Sequence, residues 1–194
     1  MKMNSPQHLA VLYVATAGLQ GNALGSDEQE VVLLIYVVID VNANKVIGVQ
    51  QYIVKPAVAD INENVLSEQL VSETALTEEL VKSAGVPLQT AIQKFENYVR
   101  SIQIDPNSSA FRFVTDGQLP LRQCLHPEAC NKNIELPGYY NLFHDLRKEF
   151  RKFYNVPETE ELSSISDLMN CILLRLNMTK TNPPPLHQLG NTYS

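Results

Sequence analysis

"EVVLLIYVVIDVNANKVIGVQQYIV", Glu30 to Val54, is two β-rich runs joined through "DVNANK", Asp40 to Lys45. Valine, isoleucine and tyrosine favour the pleated backbone, so Glu30–Asp40 and Lys45–Val54 read as strands. The first is apolar at nearly every position, as a central strand covered on both faces must be. The Asn and Asp residues between them suit a tight hairpin turn. Upstream, His8 to Ala17, with Val11, Tyr13 and Val14, is a third strand. The glycine-bearing link "GLQGNALGSDEQ", Gly18 to Gln29, is expected to be mobile. Three successive strands with short links make an antiparallel meander.

Beyond Asn62 the pattern becomes helical. "SETALTEELVKSAG", Ser72 to Gly85, reads as one capped helix, with Thr74 or Thr77 as N-cap and Gly85 as the stop. Pro87 opens "PLQTAIQKFENYVRSI", where Leu88, Ala91, Ile92, Phe95, Tyr98, Val99 and Ile102 fall on one face. Ala110 to Thr115 is a strand. "YYNLFHDLRKEFRKFY", Tyr139 to Tyr154, reads as a helix with Leu142, Phe143, Leu146, Phe150 and Phe153 inward. Ser163 to Leu176 is a further helix, carrying Leu168, Cys171, Ile172 and Leu176. "TNPPPLHQLG", Thr181 to Gly190, begins as a stiff extended link, and the chain end reads as truncated. Strands, helices, a strand and helices again describe an α/β three-layer domain with a mixed sheet, one domain over residues 1–194.

A chain of 194 residues that is 44% hydrophobic fills a real core, and a charged fraction of 19% without long runs argues against disorder. A net charge of -6 opposes coating of nucleic acid by bulk electrostatics. Three cysteines, Cys124, Cys130 and Cys171, are an odd and sparse set that fits a reducing compartment. Lys2 followed by "LAVLYVATA" mimics a signal peptide, but the short run with Val11, Tyr13 and Val14 reads better as the first strand. The sequon-like Asn107 and Asn177 matter only for a secreted chain. "VVLLIYVVI", Val31 to Ile39, is too short to span a bilayer as a helix.

"FVTDGQLPLRQCLHPEAC", Phe113 to Cys130, concentrates the candidate chemistry. Cys124, His126 and Cys130 are three soft donors within seven positions, with Glu128 among them. A structural zinc needs four ligands, usually as two close pairs, and Cys171, His8, His144 and His187 offer no paired spacing. No metal or other cofactor is expected. A phosphate loop or nucleophile elbow is also missing. The strongest polar feature is Arg147-Lys148 with Arg151-Lys152, two adjacent stripes on one helix face. These four, with Arg122, are the candidate contacts to RNA phosphate or to an acidic protein segment.

In order, the three strands, "QQYIVKP", "SETALTEELVKSAGVPLQTAIQKFENYV" and "RFVTDGQ" resemble the ribonuclease H-like fold of DEDD-type 3′-5′ exonucleases. That family places a Leu-Thr-Gly-Ile-Thr-like stretch after an extended segment ending in Pro, and Thr74-Ala75-Leu76-Thr77 takes its place here. The resemblance implies a mixed sheet that opens with the antiparallel meander and carries helices on both faces. A longer run, Thr115 to Phe150, resembles the N-terminal domain of the epithelial splicing regulatory protein and Fusilli family. It matches through Thr-Asp-Gly-Gln-Leu, Arg122-Gln123, Leu125 to Ala129, Lys132-Asn133, Leu136-Pro137, Phe143 and Asp145 to Phe150; "LGSDEQEVVLL", Leu24 to Leu34, matches as well. That resemblance implies a nuclear regulator of alternative splicing. Its RNA-recognition motifs, outside this chain, bind pre-mRNA, and proteins of the splicing machinery are further partners; no membrane is implied.

The exonuclease resemblance also implies four carboxylates around two divalent metals, with a histidine as general base. The Asp-x-Glu motif of the first strand falls on Tyr13 and Ala15, and the second acidic position falls on Pro120. Asp116 stays, and reads as a turn and helix-cap residue. For the last motif, His187 is followed five residues later by Thr192; the register through Leu189-Gly190-Asn191 instead puts Pro183 and Gln188 at the His and Asp positions. Every ligand carboxylate is replaced in either register. The expectation is a non-catalytic exonuclease-like domain for protein docking or auxiliary RNA contact. The alternatives are an active metal-dependent 3′-5′ exoribonuclease using Asp116 and His187, and a pure protein-interaction or dimerisation domain.

Overall fold

The computed structural model describes residues 6–56 and 66–154. The expected helix from Ser163 to Leu176, the positions Pro183, His187, Gln188 and Thr192, and the link from Thr181 lie outside the described residues. Strand β1 (His8–Thr16) pairs antiparallel with β2 (Val31–Asp40), and β2 pairs antiparallel with β3 (Lys45–Ile53). After helices α1 (Glu68–Thr74), α2 (Glu78–Ala84) and α3 (Leu88–Ser101), β4 (Phe111–Thr115) returns parallel to β1. The described sheet is mixed and five-stranded, ordered β3-β2-β1-β4-β5. The meander and the mixed sheet are as the sequence indicates. Within β2, Val31 to Leu34, Tyr36, Val38 and Ile39 are buried, because helices cover both faces of the sheet.

On one face, Ala10, Leu12 and Val14 of β1 pack with Leu88, Ala91, Ile92, Phe95 and Val99 of α3. Tyr36 stacks on Phe95 at 3.8 Å between ring centres. Its hydroxyl meets that of Tyr140 at 2.9 Å, which satisfies two phenols in a dry interior. On the other face, Ala15, Ala17 and Leu33 pack with Leu70 of α1 and Val81 of α2. No described helix is long and apolar enough to cross a membrane.

Three expectations need correction. Ser72–Gly85 is two helices rather than one. Ser67 caps α1 by accepting the Leu70 N–H, and α1 ends where Ala75 turns left-handed at φ +55°. Thr77 caps α2, and Gly85 donates its N–H to Val81 to close it. Thr74 caps neither helix; it donates to the Leu70 carbonyl and accepts from Leu76 N–H. The break buries Leu76 against the sheet, a tertiary gain that local propensity does not register.

Tyr139–Tyr154 is likewise not one helix. A short 3-10 turn at Gly138–Asn141 leads into β5 (Phe143–Asp145), parallel to β4, and then into α5 (Leu146–Tyr154). Pairing β5 with β4 satisfies backbone groups that a helix would leave open on that edge. Leu146 is buried as expected, but Leu142 is 51% and Phe153 38% exposed rather than inward.

Nor is the β1–β2 loop a loose tether. The side-chain amide of Gln20 donates to the carbonyls of Thr16 and Gly18 at 2.8 Å, and Asp27 accepts the Leu19 N–H at 2.8 Å. Leu24 is buried in the main core.

Candidate functional site

Residues two apart on a strand share a face, so Tyr13 and Ala15 line one side of β1, and Ala17 just beyond it joins the same cluster. That side meets Leu33, Leu70 and Val81, and Ala15 is completely buried there. Tyr13 is half-buried. Burial, and secondarily the nearby charge of Glu73, push its phenol up to about 12, so it stays neutral under physiological conditions. The methyl of Ala15 and the neutral phenol of Tyr13 thus stand where the exonuclease resemblance requires two carboxylates.

Pro120 opens a π-helical segment, Pro120–Leu125, that packs against β1 and runs into α4 (His126–Asn131). It is buried, and its ring offers no donor oxygen. Divalent magnesium or manganese needs oxygen ligands. The described positions do not fit a two-metal centre. Asp116 is a turn residue but not a cap: its carboxylate takes a bidentate grip from Arg147, with Nη2 at 2.8 Å. The helical segment that follows has no side-chain cap at its start.

The Cys-His-Cys stretch sends its side chains to separate tasks. Cys124 is buried, and burial, then Glu128 and Asp27, push its thiol up to about 12. A ring nitrogen of His126 lies 3.3 Å from the Tyr140 carbonyl oxygen. Glu128 accepts the Val31 N–H and the Lys132 ammonium, both at 2.6 Å, and Cys130 is exposed. Among the described residues, no three His, Cys, Asp or Glu side chains form a group able to hold a metal ion.

The basic residues divide by surroundings. Arg147 is committed to Asp116, Arg151 is half-buried, and Lys148 and Lys152 are exposed, one turn apart on α5. Arg122 is exposed on the π-helical segment, a different element, and lines an open cleft. Sequence reasoning missed the network in which Lys132 bridges Glu30 and Glu128. The Glu128–Lys132 spacing of four was a legible signal. Nothing local marks Glu30 as the third member.

No family model matches the chain. Solved structures do. A 3′-exonuclease in 3′-end specific recognition of a histone mRNA stem-loop superposes with a TM-score of 0.71 at 12% identity, over 92% of this chain and 85% of that one. The nuclease domain of a DEDDh-family 3′ exonuclease, bound to rAMP, gives 0.68 at 14%, over 90% and 91%. Cell-death related nuclease 4 gives 0.65 at 19%, over 84% of this chain; the chain spans 53% of that nuclease. At these identities the likeness is one of fold. The mixed sheet and its helices are those of ribonuclease H-like exonucleases.

Proposed function

We propose that this chain is a non-catalytic exonuclease-like domain of an RNA-binding regulator of alternative splicing, serving in the nucleus as a docking module. One observation carries the reading. The positions that resemblance assigns to metal-binding acids hold Tyr13, Ala15 and Pro120, two of them buried and apolar and the third a neutral phenol. Two cations held 3.5–4 Å apart, roughly the spacing of two-metal sites, need anionic oxygens on both sides. Apolar side chains repel them by failing to replace their hydration. The splicing context rests on the resemblance of Thr115 to Phe150.

The test is the full chain with end-labelled single-stranded RNA and millimolar Mg²⁺ or Mn²⁺. The expected results are no trimming and no rise in Tm with Mn²⁺, since a live site would gain stability by mass action. Metal-dependent trimming that co-elutes with the chain and is lost in Asp116→Asn and in His187→Ala would establish an active exoribonuclease instead.

The exposure of Lys148 and Lys152 on one turn of α5 favours a second role, auxiliary RNA contact. Binding of single-stranded RNA should weaken with salt, and Lys148→Ala with Lys152→Ala should lower the slope of log K against log salt by about 1.4. A slope unchanged by the double variant rejects that role and leaves docking of protein alone.

A further inference from the structure

An open cleft of about 880 Å³ runs between the β1–β2 loop on one side and the π-helical segment with α4 on the other. That is within the size of roughly 300–1,000 Å³ common to ligand sites. The loop contributes Glu28 and Gln29; the helical wall contributes Gln118, Arg122, Gln123 and Asn131. Leu119 and Pro127 add apolar surface.

The two walls are tied together from beneath. Glu128 of the helical wall holds the Val31 N–H, and Lys132 pairs with Glu30. Gly25 lies so close to Cys124 that a Cβ there would stand 2.7 Å from the Sγ. These contacts fix the cleft before anything binds, which lowers the ordering cost of binding. Glu30, Glu128 and Lys132 satisfy one another. The side chains of Glu28, Gln29, Gln118, Arg122, Gln123 and Asn131, by contrast, make no hydrogen bond or ion pair among the described residues. Glu28 also holds a left-handed φ of +56°, uncommon for this residue type and a form of strain that gathers at ligand sites.

We infer that this cleft docks an extended segment of a partner protein, one carrying an acidic side chain for Arg122 and a basic one for Glu28. Four uncommitted amides present both donors and acceptors, as a peptide main chain requires. Opposite charges on opposite walls set its direction and register. Nucleic acid fits poorly. Among the described residues the lining holds three acids (Glu28, Glu30, Glu128) against two bases (Arg122, Lys132), and Lys132 is already neutralised. Among the described residues no aromatic side chain lines the cleft, whereas single strands are held by stacking in a basic groove. The inference does not depend on whether the domain cleaves RNA or regulates splicing.

The test incubates the immobilised full chain with a combinatorial library of octapeptides capped at both ends, and sequences what binds. Enrichment should favour one acidic and one basic residue at a constant separation. Arg122→Glu should convert the acidic preference to basic, and Glu28→Lys the basic preference to acidic; each reversal weakens the best wild-type peptide about tenfold or more. Both positions are exposed, so an unchanged Tm certifies folding. No enrichment, or a preference that survives both reversals, overturns the inference. So does single-stranded RNA that displaces the peptides and loses affinity in the same variants.

Discussion

Glu128, in the first turn of α4, accepts the backbone N–H of Val31, the first residue of β2, at 2.6 Å across 97 positions of sequence. Its other oxygen holds Lys132 at 2.6 Å. One carboxylate therefore serves a strand end and a partly buried ammonium together. Glu128→Ala should lower unfolding free energy by about 2 kcal/mol, because it leaves the Val31 N–H without its acceptor and Lys132 with Glu30 alone. Glu128→Gln, still able to accept one bond, should cost about 1 kcal/mol. Urea midpoints measure both, and equal losses would contradict the dual role.

The same network predicts a pH dependence. Burial raises the Glu128 carboxyl, against the lowering pull of Lys132 and the Val31 N–H. A raised acid contributes fully below its unfolded value of about 4.3 and loses that contribution as pH climbs through the folded value. For Lys132, burial acts to lower, but the bonds to Glu128 and Glu30 outweigh it and raise the group. Its contribution holds below about pH 10.4 and fades as pH passes the raised value. The wild-type chain should thus lose Tm more steeply than Glu128→Gln above about pH 4.3, and lose again in strong alkali. Parallel Tm profiles for the two chains would refute the assignment.

Gly48 of β3 lies directly beneath Tyr98 of α3, and a Cβ on Gly48 would occupy the place of the Tyr98 hydroxyl. Gly48→Ala should cost about 1–3 kcal/mol as an overpacked contact. Tyr98→Phe removes the clashing oxygen and should recover part of that loss. A double-mutant cycle reads the coupling; strict additivity would show that the two residues do not meet.

Arg147 and Asp116 join α5 to the end of β4 by a two-point grip. Arg147→Ala should cost about 1 kcal/mol, the modest figure reflecting partial solvent access. Arg147→Lys should recover little, because a point charge cannot reproduce the planar fork. Full recovery by lysine would mean that charge alone matters there.

Cys124 and Cys130 are six residues apart and should differ sharply in reactivity. The thiol of Cys124 is buried and held at about 12, whereas Cys130 faces solvent. Alkylation of the folded chain near pH 8 should label Cys130 and spare Cys124 until denaturant is added, as peptide mapping by mass spectrometry will show. Rapid labelling of Cys124 in the native state would mean that the loop bearing Gly25 does not cover it.

The strands β1 to β4 and the helix α3 were legible in the chain itself. Their apolar residues recur at spacings of two or of three to four, and backbone geometry turns those spacings directly into buried faces. Tyr13, Ala15 and Pro120 could also be singled out, because a carboxylate is either present or not. The break at Ala75, the short strand at Phe143, the grip of Arg147 on Asp116 and the pairing of Glu30 with Lys132 came from tertiary structure alone. Each depends on a partner far away in sequence: Leu76 seeks the sheet, Phe143 completes the edge of β4, and Glu30 waits for α4. Periodicity reports what a residue does for its near neighbours. Which donors, charges and apolar surfaces meet across the fold is decided by mutual burial, where an unpaired group costs more than local propensity can return.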